Sequence, residues 1–205
     1  MESSLIESPI EIVIASKNLG KIAEFKRILG EVGISIITDV EFPDVEETGS
    51  TFEENALLKA HAISRHANLP ALADDSGLAV EALDGAPGIF SARWSGVHGD
   101  DQANIKRLLE DLMGVAEEDR GARFVAVLAL VKPDGQELLV RGELPGKIRN
   151  QPVGTNGFGY DPIFQPENSN RTLGEMSAAE KDAISHRSKA LHDLTPRIRP
   201  FLNLR

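Results

Sequence analysis

Two short polar stretches, each following an apolar run, carry groups suited to binding phosphate and a metal ion. The first, SKNLGK, covers Ser16 to Lys21 behind the apolar residues 12–15. A loop between a strand and a helix presents free backbone N–H groups and the positive end of the helix dipole, which together bind phosphate. Ser16 and Asn18 add neutral donors, and Lys17 and Lys21 add positive charge. The stretch is not a Walker motif, because the pattern G-x-x-x-x-G-K-S/T is absent. The alternative interpretation is an ordinary capped turn with solvated lysines.

The second stretch, ADDSGL, places two adjacent carboxylates, Asp74 and Asp75, behind an apolar run. Open α/β sheets bind their ligands at the carboxyl ends of strands. Because adjacent side chains diverge, we expect one carboxylate to face a cleft and the other to brace a turn. Mg²⁺ usually takes one or two protein carboxylates together with substrate phosphates, and residues 44–49, DVEETG, supply a second acidic source. A plain Asx turn is the alternative for this stretch.

A glycine-rich stretch, GTNGFGYDPIF at residues 154–164, carries the aromatic pair Phe158 and Tyr160 and ends its polar part at Asp161. An exposed ring can stack on a nucleobase, and an aspartate can hold the edge of the base. The spacing G-x-x-G-x-G is not followed by a strand-to-helix transition, which argues against a dinucleotide fingerprint. In the alternative interpretation, Phe158 anchors the loop to the core.

The stretch EKDAISHRSKAL, residues 180–191, brings basic groups together only if its helix is interrupted. In one unbroken helix Lys181 and His186 would point about 140° apart. Ser185 as an N-cap would start a new helix with His186 and Arg187 at its N-terminus. The alternative is a surface helix with ordinary charges. With no second histidine at ligand spacing, a zinc site is excluded.

The elements that must position these groups follow from hydrophobic periodicity and capping signals. Strands are predicted at residues 10–15, 34–38 and 71–73, and a hairpin at residues 122–144 around a Pro-Asp-Gly turn. Helices are predicted at residues 22–32 with a Gly33 cap, 51–68 behind a Thr51–Glu54 capping box, 99–114, and from Ser177, where Ser177 and Glu180 form a second capping box. A βαβ opening followed by a hairpin and helices implies an α/β fold with a mixed sheet.

Composition limits the classes of protein to consider. A chain of 205 residues with 41% hydrophobic content can form one domain, residues 1–205, with residues 1–9 as a loose lead-in. The net charge of −10 opposes binding to nucleic acid or an anionic membrane. The absence of cysteine excludes disulfides and a thiol nucleophile. The N-terminus lacks a basic leader, and the longest apolar run, residues 124–131, is too short to span a bilayer, so we expect a soluble cytoplasmic protein.

Five stretches taken together closely resemble one enzyme family. In order they are SKNLGK, ETGSTFEENALLKA, DDSGLAVEALDGAPGIFSAR, GFGYDPIF and EKDAISHR. They resemble the noncanonical purine nucleoside triphosphate pyrophosphatases, the inosine triphosphate pyrophosphatase family, over residues 12–201. The resemblance implies a mixed central β-sheet flanked by helices, two lobes around a nucleotide-binding cleft, and a homodimer. It also implies Mg²⁺-dependent hydrolysis of inosine, deoxyinosine and xanthosine triphosphates to monophosphate and pyrophosphate, which removes deaminated purines from the nucleotide pool.

The same resemblance implies a role for individual residues. The triphosphate loop falls on Ser16, Lys17, Asn18, Leu19, Gly20 and Lys21, with Lys59 as a further phosphate contact. Asp75 matches the catalytic aspartate and would hold Mg²⁺ with Glu46, while Ser76 touches the substrate. The base-binding loop matches Phe158, Gly159, Tyr160 and Asp161, and the residues that close over the nucleotide match Lys181, His186 and Arg187.

Three other functions stay open at this point. A nucleotide sensor would use the same loop and aromatic platform without needing Asp75 and Glu46. An interaction domain would neither bind nor hydrolyse nucleotide. A phosphatase would release orthophosphate from the γ position.

Overall fold

A six-stranded mixed sheet runs through the residues that the computed structural model describes, which are 10–16, 18–30, 34–38, 40–42 and 44–203. The strands are β1 (Ile10–Ala15), β2 (Ile34–Ile37), β3 (Ala71–Val80), β4 (Gly121–Val131), β5 (Glu137–Ile148) and β6 (Phe164–Pro166). Their order in the sheet is β2-β1-β3-β4-β5-β6. β1 is parallel to β2 and β3, and the remaining neighbours are antiparallel. The predicted α/β fold with a mixed sheet is confirmed.

The helices are α1 (Leu19–Gly30), α2 (Phe52–Ala67), α3 (Asp101–Asp111), α4 (Ala178–Asp182) and α5 (His186–Phe201). Those with predicted caps, α2, α4 and α5, begin directly after the cap, whereas α1 begins three residues before its predicted start at residue 22. Thr51 Oγ1 accepts from Glu54 N at 3.1 Å and caps α2, whereas the Glu54 carboxylate reaches one residue further back, to Ser50 N at 2.6 Å. The capping box of Ser177 and Glu180 before α4 is confirmed. The predicted cap at Gly33 lies outside the described residues.

Strand β3 corrects the prediction of a short strand at residues 71–73. It continues for ten residues to Val80 and pairs with β4 along its whole length, from Ala71 opposite Val131 to Val80 opposite Ala122. The Asx-turn interpretation of ADDSGL is therefore wrong. The polar residues indicated a break because their charges have no partners nearby in sequence; in the fold, helices on both faces of the sheet supply those partners.

Three groups of buried side chains make up the core, and the middle of β3 lies between them. On one face of the sheet α1 and α5 pack through Phe25, Leu29, Leu191, Leu194 and Ile198 against Ile12, Ile14 and Leu72. On the other face α2 packs through Phe52, Ala56, Ala60 and Ile63 against Val13, Ala15, Ala71 and Ala73. Beside the C-terminal end of β3 lies the third group, in which α3 packs through Ile105, Leu108 and Leu112 with Leu78, Val80, Phe124 and Ile163. Polar residues in the middle of β3 are thus enclosed on several sides.

None of the helices in the described ranges has the length and apolar character needed to cross a membrane.

Gly142 sets how closely α5 approaches the sheet. A Cβ at Gly142 would lie 2.1 Å from the carbonyl oxygen of His186 and 2.6 Å from Ala190 N. We expect Gly142→Ala to lower the free energy of unfolding by about 1–3 kcal/mol, because the backbone of α5 must move to admit the methyl group. Urea denaturation measures the change.

Gly30→Ala is the matched control, since a Cβ there would meet nothing within 4 Å and alanine favours the helix. Equal stability of the two variants would contradict the close approach of α5.

Candidate active site

A cavity of about 660 Å³ opens beside the middle of β3, a volume typical of small-molecule sites. Most of the residues implied by the resemblance line it: Ser16, Asn18, Lys21, Lys59, Asp75, Ser76, Phe158, Gly159, Tyr160, Asp161, Lys181, His186 and Arg187. Leu19 is exposed and Gly20 is half-buried, and neither is part of this lining. Glu46 is exposed outside the cavity, whereas its neighbour Glu47 lines it. Lys17 lies outside the described residues.

The loop before α1 is held by its own side chains. Ser16 Oγ accepts from Asn18 N at 3.2 Å, and Asn18 Oδ1 accepts from Lys21 N at 3.1 Å. A Cβ at Gly20 would lie 2.8 Å from Phe158 Cδ1, so glycine here lets the Phe158 ring approach the start of α1. The loop is a capped turn and also a wall of the cavity, and its contact with phosphate stays a prediction.

Asp74 is buried on the face of the sheet covered by α1 and α5. Its Oδ2 lies 2.5 Å from Lys21 Nζ and accepts from Ser76 Oγ at 3.1 Å, and its Oδ1 lies 3.6 Å from Arg187 Nε. Burial by itself would raise the pKa of Asp74, but the charges of Lys21 and Arg187 outweigh it and hold the pKa well below its usual range. Asp74 is therefore charged at neutral pH.

Asp75 faces the opposite side of the sheet, toward α2. Its Oδ1 accepts from Lys59 Nζ at 2.8 Å, and Lys59 also donates to Glu47 Oε1 at 2.9 Å and to the Asp74 carbonyl at 2.8 Å. Burial raises the pKa of Asp75 despite the nearby Lys59. Its Oδ2 is buried and has no hydrogen-bond partner among the described residues. Asp75 thus combines a free buried oxygen with a proton affinity above that of an ordinary aspartate.

The expectation that one of the two aspartates braces a turn was wrong. Both line the cavity, because β3 continues straight through them and turns its alternate side chains to opposite faces. The pair therefore links the helices on the two faces to the same cavity.

A second part of the cavity lining is built around Phe158 and Asp161. Asp161 Oδ2 accepts from Lys181 Nζ at 2.6 Å and from Phe158 N at 2.9 Å. Lys181 Nζ lies 4.3 Å from the centre of the Phe158 ring, within cation–π distance. Tyr160 is buried and donates from its hydroxyl to the Ser91 carbonyl at 2.9 Å, so it anchors the loop.

The predicted break at Ser185 is confirmed. Ser185 Oγ accepts from Ser188 N at 3.0 Å and caps α5, which starts at His186. The His186 ring stacks on Phe124 with centroids 4.9 Å apart. Burial, together with the charge of Arg187, lowers the pKa of His186 well below its ordinary value, so the ring is neutral. Its buried Nδ1 has no hydrogen-bond partner in the described part of the chain.

Arg187 is only 1% exposed, and Glu24 of α1 neutralises much of its charge. Arg187 Nη1 donates to Glu24 Oε2 and Nη2 donates to Ser76 Oγ at 2.9 Å. Glu24 Oε1 in turn lies 3.1 Å from Lys181 Nζ. Glu24 therefore forms ion pairs with both Lys181 and Arg187, the two cations that the resemblance places around the nucleotide.

Sequence reasoning missed Glu24 and Glu47. Glu24 lies three residues after Lys21, on the same side of α1, and this spacing was the available signal. Glu47 is next to the predicted Glu46, and its carboxylate also accepts from Arg93 Nη1 at 3.1 Å. No pattern within the EE pair distinguishes the residue that faces the cavity.

The buried charges form one series, which we call the ion-pair chain. Its members alternate in sign: Asp161, Lys181, Glu24, Arg187, Asp74 and Lys21. Each interior member contacts two partners of opposite charge, which offsets the cost of removing the charges from water.

The donor set for a metal is small. No group of three or more His, Asp or Glu side chains in the described ranges is arranged to hold a metal ion by itself. The free Asp75 Oδ2 beside the acidic loop at residues 44–49 fits Mg²⁺, which takes few protein ligands and completes its shell with phosphate and water.

The fold and the cavity define an α/β protein with a ligand site between its groups of core residues. The chain belongs to the Ham1 family, whose sequence model matches residues 12–197. It is 55% identical over 196 residues to a dITP/XTP pyrophosphatase of Streptomyces avermitilis, covering 93% of this chain and 98% of that protein. A HAM1 protein structure from Coxiella burnetii matches with a TM-score of 0.84 at 44% identity, covering 92% of this chain and 98% of the other. The dITP/XTP pyrophosphatase structure from Mycobacterium abscessus matches with a TM-score of 0.75 at 51% identity, covering 91% of this chain and 100% of the other.

Removing the charge of Glu24 tests the ion-pair chain. We expect Glu24→Gln to lower the free energy of unfolding by about 3–5 kcal/mol, because Lys181 and Arg187 lose their shared buried anion. Urea denaturation at neutral pH measures the change.

Glu110→Gln removes the same charge from an exposed pair, 3.9 Å from Lys106, and should change stability little. A Glu24→Gln variant as stable as Glu110→Gln would show that Glu24 is not needed to balance the two cations.

Proposed function

We propose that this chain hydrolyses the triphosphates of inosine, deoxyinosine and xanthosine to the nucleoside monophosphate and pyrophosphate. It is a nucleoside triphosphate pyrophosphatase, a hydrolase that cleaves the bond between the α- and β-phosphates and so removes deaminated purines from the nucleotide pool. The observation that carries this conclusion is the 55% identity, over nearly the whole chain, to a relative named dITP/XTP pyrophosphatase. The cavity supplies the chemistry that such a reaction needs.

The cavity lining has two chemically different groups of residues, and we assign one to the triphosphate and the other to the base. Lys21, Lys59 and the N-terminus of α1 provide positive potential for the phosphates. The half-buried ring of Phe158, which lies against the start of α1, offers a stacking surface with Lys181 and Arg187 beside it, and we call this group the base end. We place the α-phosphate of the nucleotide near Asp75, in the middle of β3.

Asp75 is the proposed proton acceptor. It orients a water molecule toward the α-phosphorus and takes its proton as the new P–O bond forms and the bond to the β-phosphate oxygen breaks. Lys59 holds the carboxylate in place, and Lys21 and Lys59 stabilise the charge of the departing pyrophosphate.

Asp75 is also the proposed holder of Mg²⁺, together with an acidic side chain of residues 44–49. Glu46 stays the predicted second ligand, whereas Asp44 and Glu47 are the carboxylates of this loop that line the cavity. When bound, the ion neutralises charge on the phosphate oxygens.

Selectivity for a 6-keto purine follows from the donors at the base end. Burial acts to lower the pKa of Arg187, but Asp74 and Glu24 raise it above its usual value, so the guanidinium stays a charged donor. Arg187 or the free Nδ1 of His186 can donate to the O6 atom. Adenine would present its own amino donor there, at a cost of about 1–3 kcal/mol per unsatisfied buried group.

The homodimer and the cytoplasmic location are proposals of the same kind. Membership of the family supports the dimer. The nucleotide pool as substrate source and the absence of cysteine from the chain support a reducing compartment. Sedimentation velocity tests the dimer.

Product analysis tests the function. With Mg²⁺ present, we expect inosine and xanthosine triphosphates to yield monophosphate and pyrophosphate, while adenosine and guanosine triphosphates are largely spared. Separation of the nucleotides by anion exchange, with a pyrophosphate assay, distinguishes the possible products. Orthophosphate with diphosphate would indicate a γ-phosphatase, and binding without turnover would indicate a sensor.

Asp75→Asn tests the proton acceptor. We expect turnover to fall by ~10²–10⁴-fold, because an amide cannot take the proton from water. Steady-state kinetics measure the loss, and circular dichroism checks that the fold is retained.

Asp134→Asn serves as the control, since Asp134 is an exposed turn residue outside the cavity. Near-normal turnover of Asp75→Asn would refute the assigned role.

A further inference from the structure

Helix α4 carries Lys181 but has little structure of its own. It is five residues long, and a helix of this length is not stable in isolation. Caps at Ser177 and Ser185 define where α4 begins and where α5 follows, but they act within the local chain. The position of Lys181 in the cavity therefore depends on contacts between α4 and other elements.

One such contact is a two-point ion pair between α1 and α4. Arg27 Nε donates to Asp182 Oδ2 at 2.6 Å, and Arg27 Nη2 donates to Asp182 Oδ1 at 3.1 Å. Two parallel bonds of this kind fix orientation as well as distance. The side chains of Arg27 and Asp182 are 44% and 15% exposed, so the pair is partly shielded from water. The hydrogen bond to Asp182 raises the pKa of Arg27.

The pairing also fixes the register between the two helices. Glu24 and Arg27 are three residues apart on one side of α1, and they meet Lys181 and Asp182, which are adjacent in α4. Along α1 the negative Glu24 precedes the positive Arg27, whereas along α4 the positive Lys181 precedes the negative Asp182. A displacement that brought Arg27 toward Lys181 would place like charges together.

Neither Arg27 nor Asp182 lines the cavity, whereas Glu24 and Lys181 belong to the ion-pair chain. The outer pair therefore cannot contact a nucleotide in the cavity. The pair is connected with the site indirectly, through Lys181, which is next to Asp182 in the chain, and through Glu24, which lies beside Arg27 on α1.

We propose that the Arg27–Asp182 pair is a positioning pair that holds α4 against α1, so that Lys181 is in place at the base end before nucleotide binds. This inference rests on the proposed function. Loss of the pair lowers the fraction of molecules with Lys181 in position. The apparent affinity for nucleotide falls in proportion to that fraction. Asp75 on the opposite face of the sheet is unaffected, so the change appears in KM and not in kcat.

The experiment compares Arg27→Gln and Asp182→Asn with the charge swap Arg27→Asp/Asp182→Arg. In the single variants we expect KM for inosine triphosphate to rise by about two- to fivefold, the range set by a partly exposed ion pair, with kcat unchanged. The swap should return KM toward that of the wild type. Hydrogen exchange of the amides of residues 178–183 should be faster in the single variants than in the wild type.

Arg197→Gln is the matched control. It removes a 2.6 Å arginine–carboxylate contact with Asp193 that lies wholly within α5, and KM should stay unchanged. Unchanged KM and unchanged exchange in both single variants, or a swap no better than they are, would overturn the proposal. If the wild type does not hydrolyse inosine triphosphate, the proposed function fails, and the exchange of residues 178–183 alone then decides whether the pair holds α4.

Discussion

The ion-pair chain from Asp161 to Lys21 is the interaction on which the rest of the site depends. It passes through the loop at residues 158–161, α4, α1, α5 and β3, so five separate parts of the chain share one electrostatic network. Each of these charges would be costly to bury alone, and the alternation of sign offsets that cost. All members of the ion-pair chain except Glu24 also line the cavity, so folding and the construction of the site depend on the same charges.

Two adjacent aspartates, Asp74 and Asp75, lie in different electrostatic surroundings. The Asp74 carboxylate contacts Lys21, Arg187 and the Ser76 hydroxyl, and its low pKa keeps it charged. Asp75 contacts one cation, Lys59, and burial raises its pKa. Each carboxylate keeps one oxygen, Asp74 Oδ1 and Asp75 Oδ2, without a hydrogen-bond partner among the described residues. A strand places neighbouring side chains on opposite faces, so identical residues meet α1 and α5 on one side and α2 on the other. Environment alone makes one carboxylate a structural anion and the other a candidate base.

Much of the fold was predictable because its signals are local. The caps at Thr51, Ser177 and Ser185 and the hairpin turn depend on residues within a few positions, and all of them are confirmed. The length of β3 was not predictable in this way. Residues 74–77 are polar and contain glycine, and only cations from distant helices make them compatible with a buried strand. Glu24 was missed for the same reason, since its partners are more than 150 positions away.

By itself the sequence determined the class of fold, the starts of the capped helices and the stretches that line the cavity, because periodicity, capping and glycine placement act over short distances. Tertiary structure alone decided which carboxylates meet which cations. In the amino-acid sequence alone, nothing distinguishes Asp74 from Asp75 or Glu46 from Glu47. Their roles arise from burial and from charges brought close by folding, and pKa values respond to that surrounding field, which the order of residues does not contain.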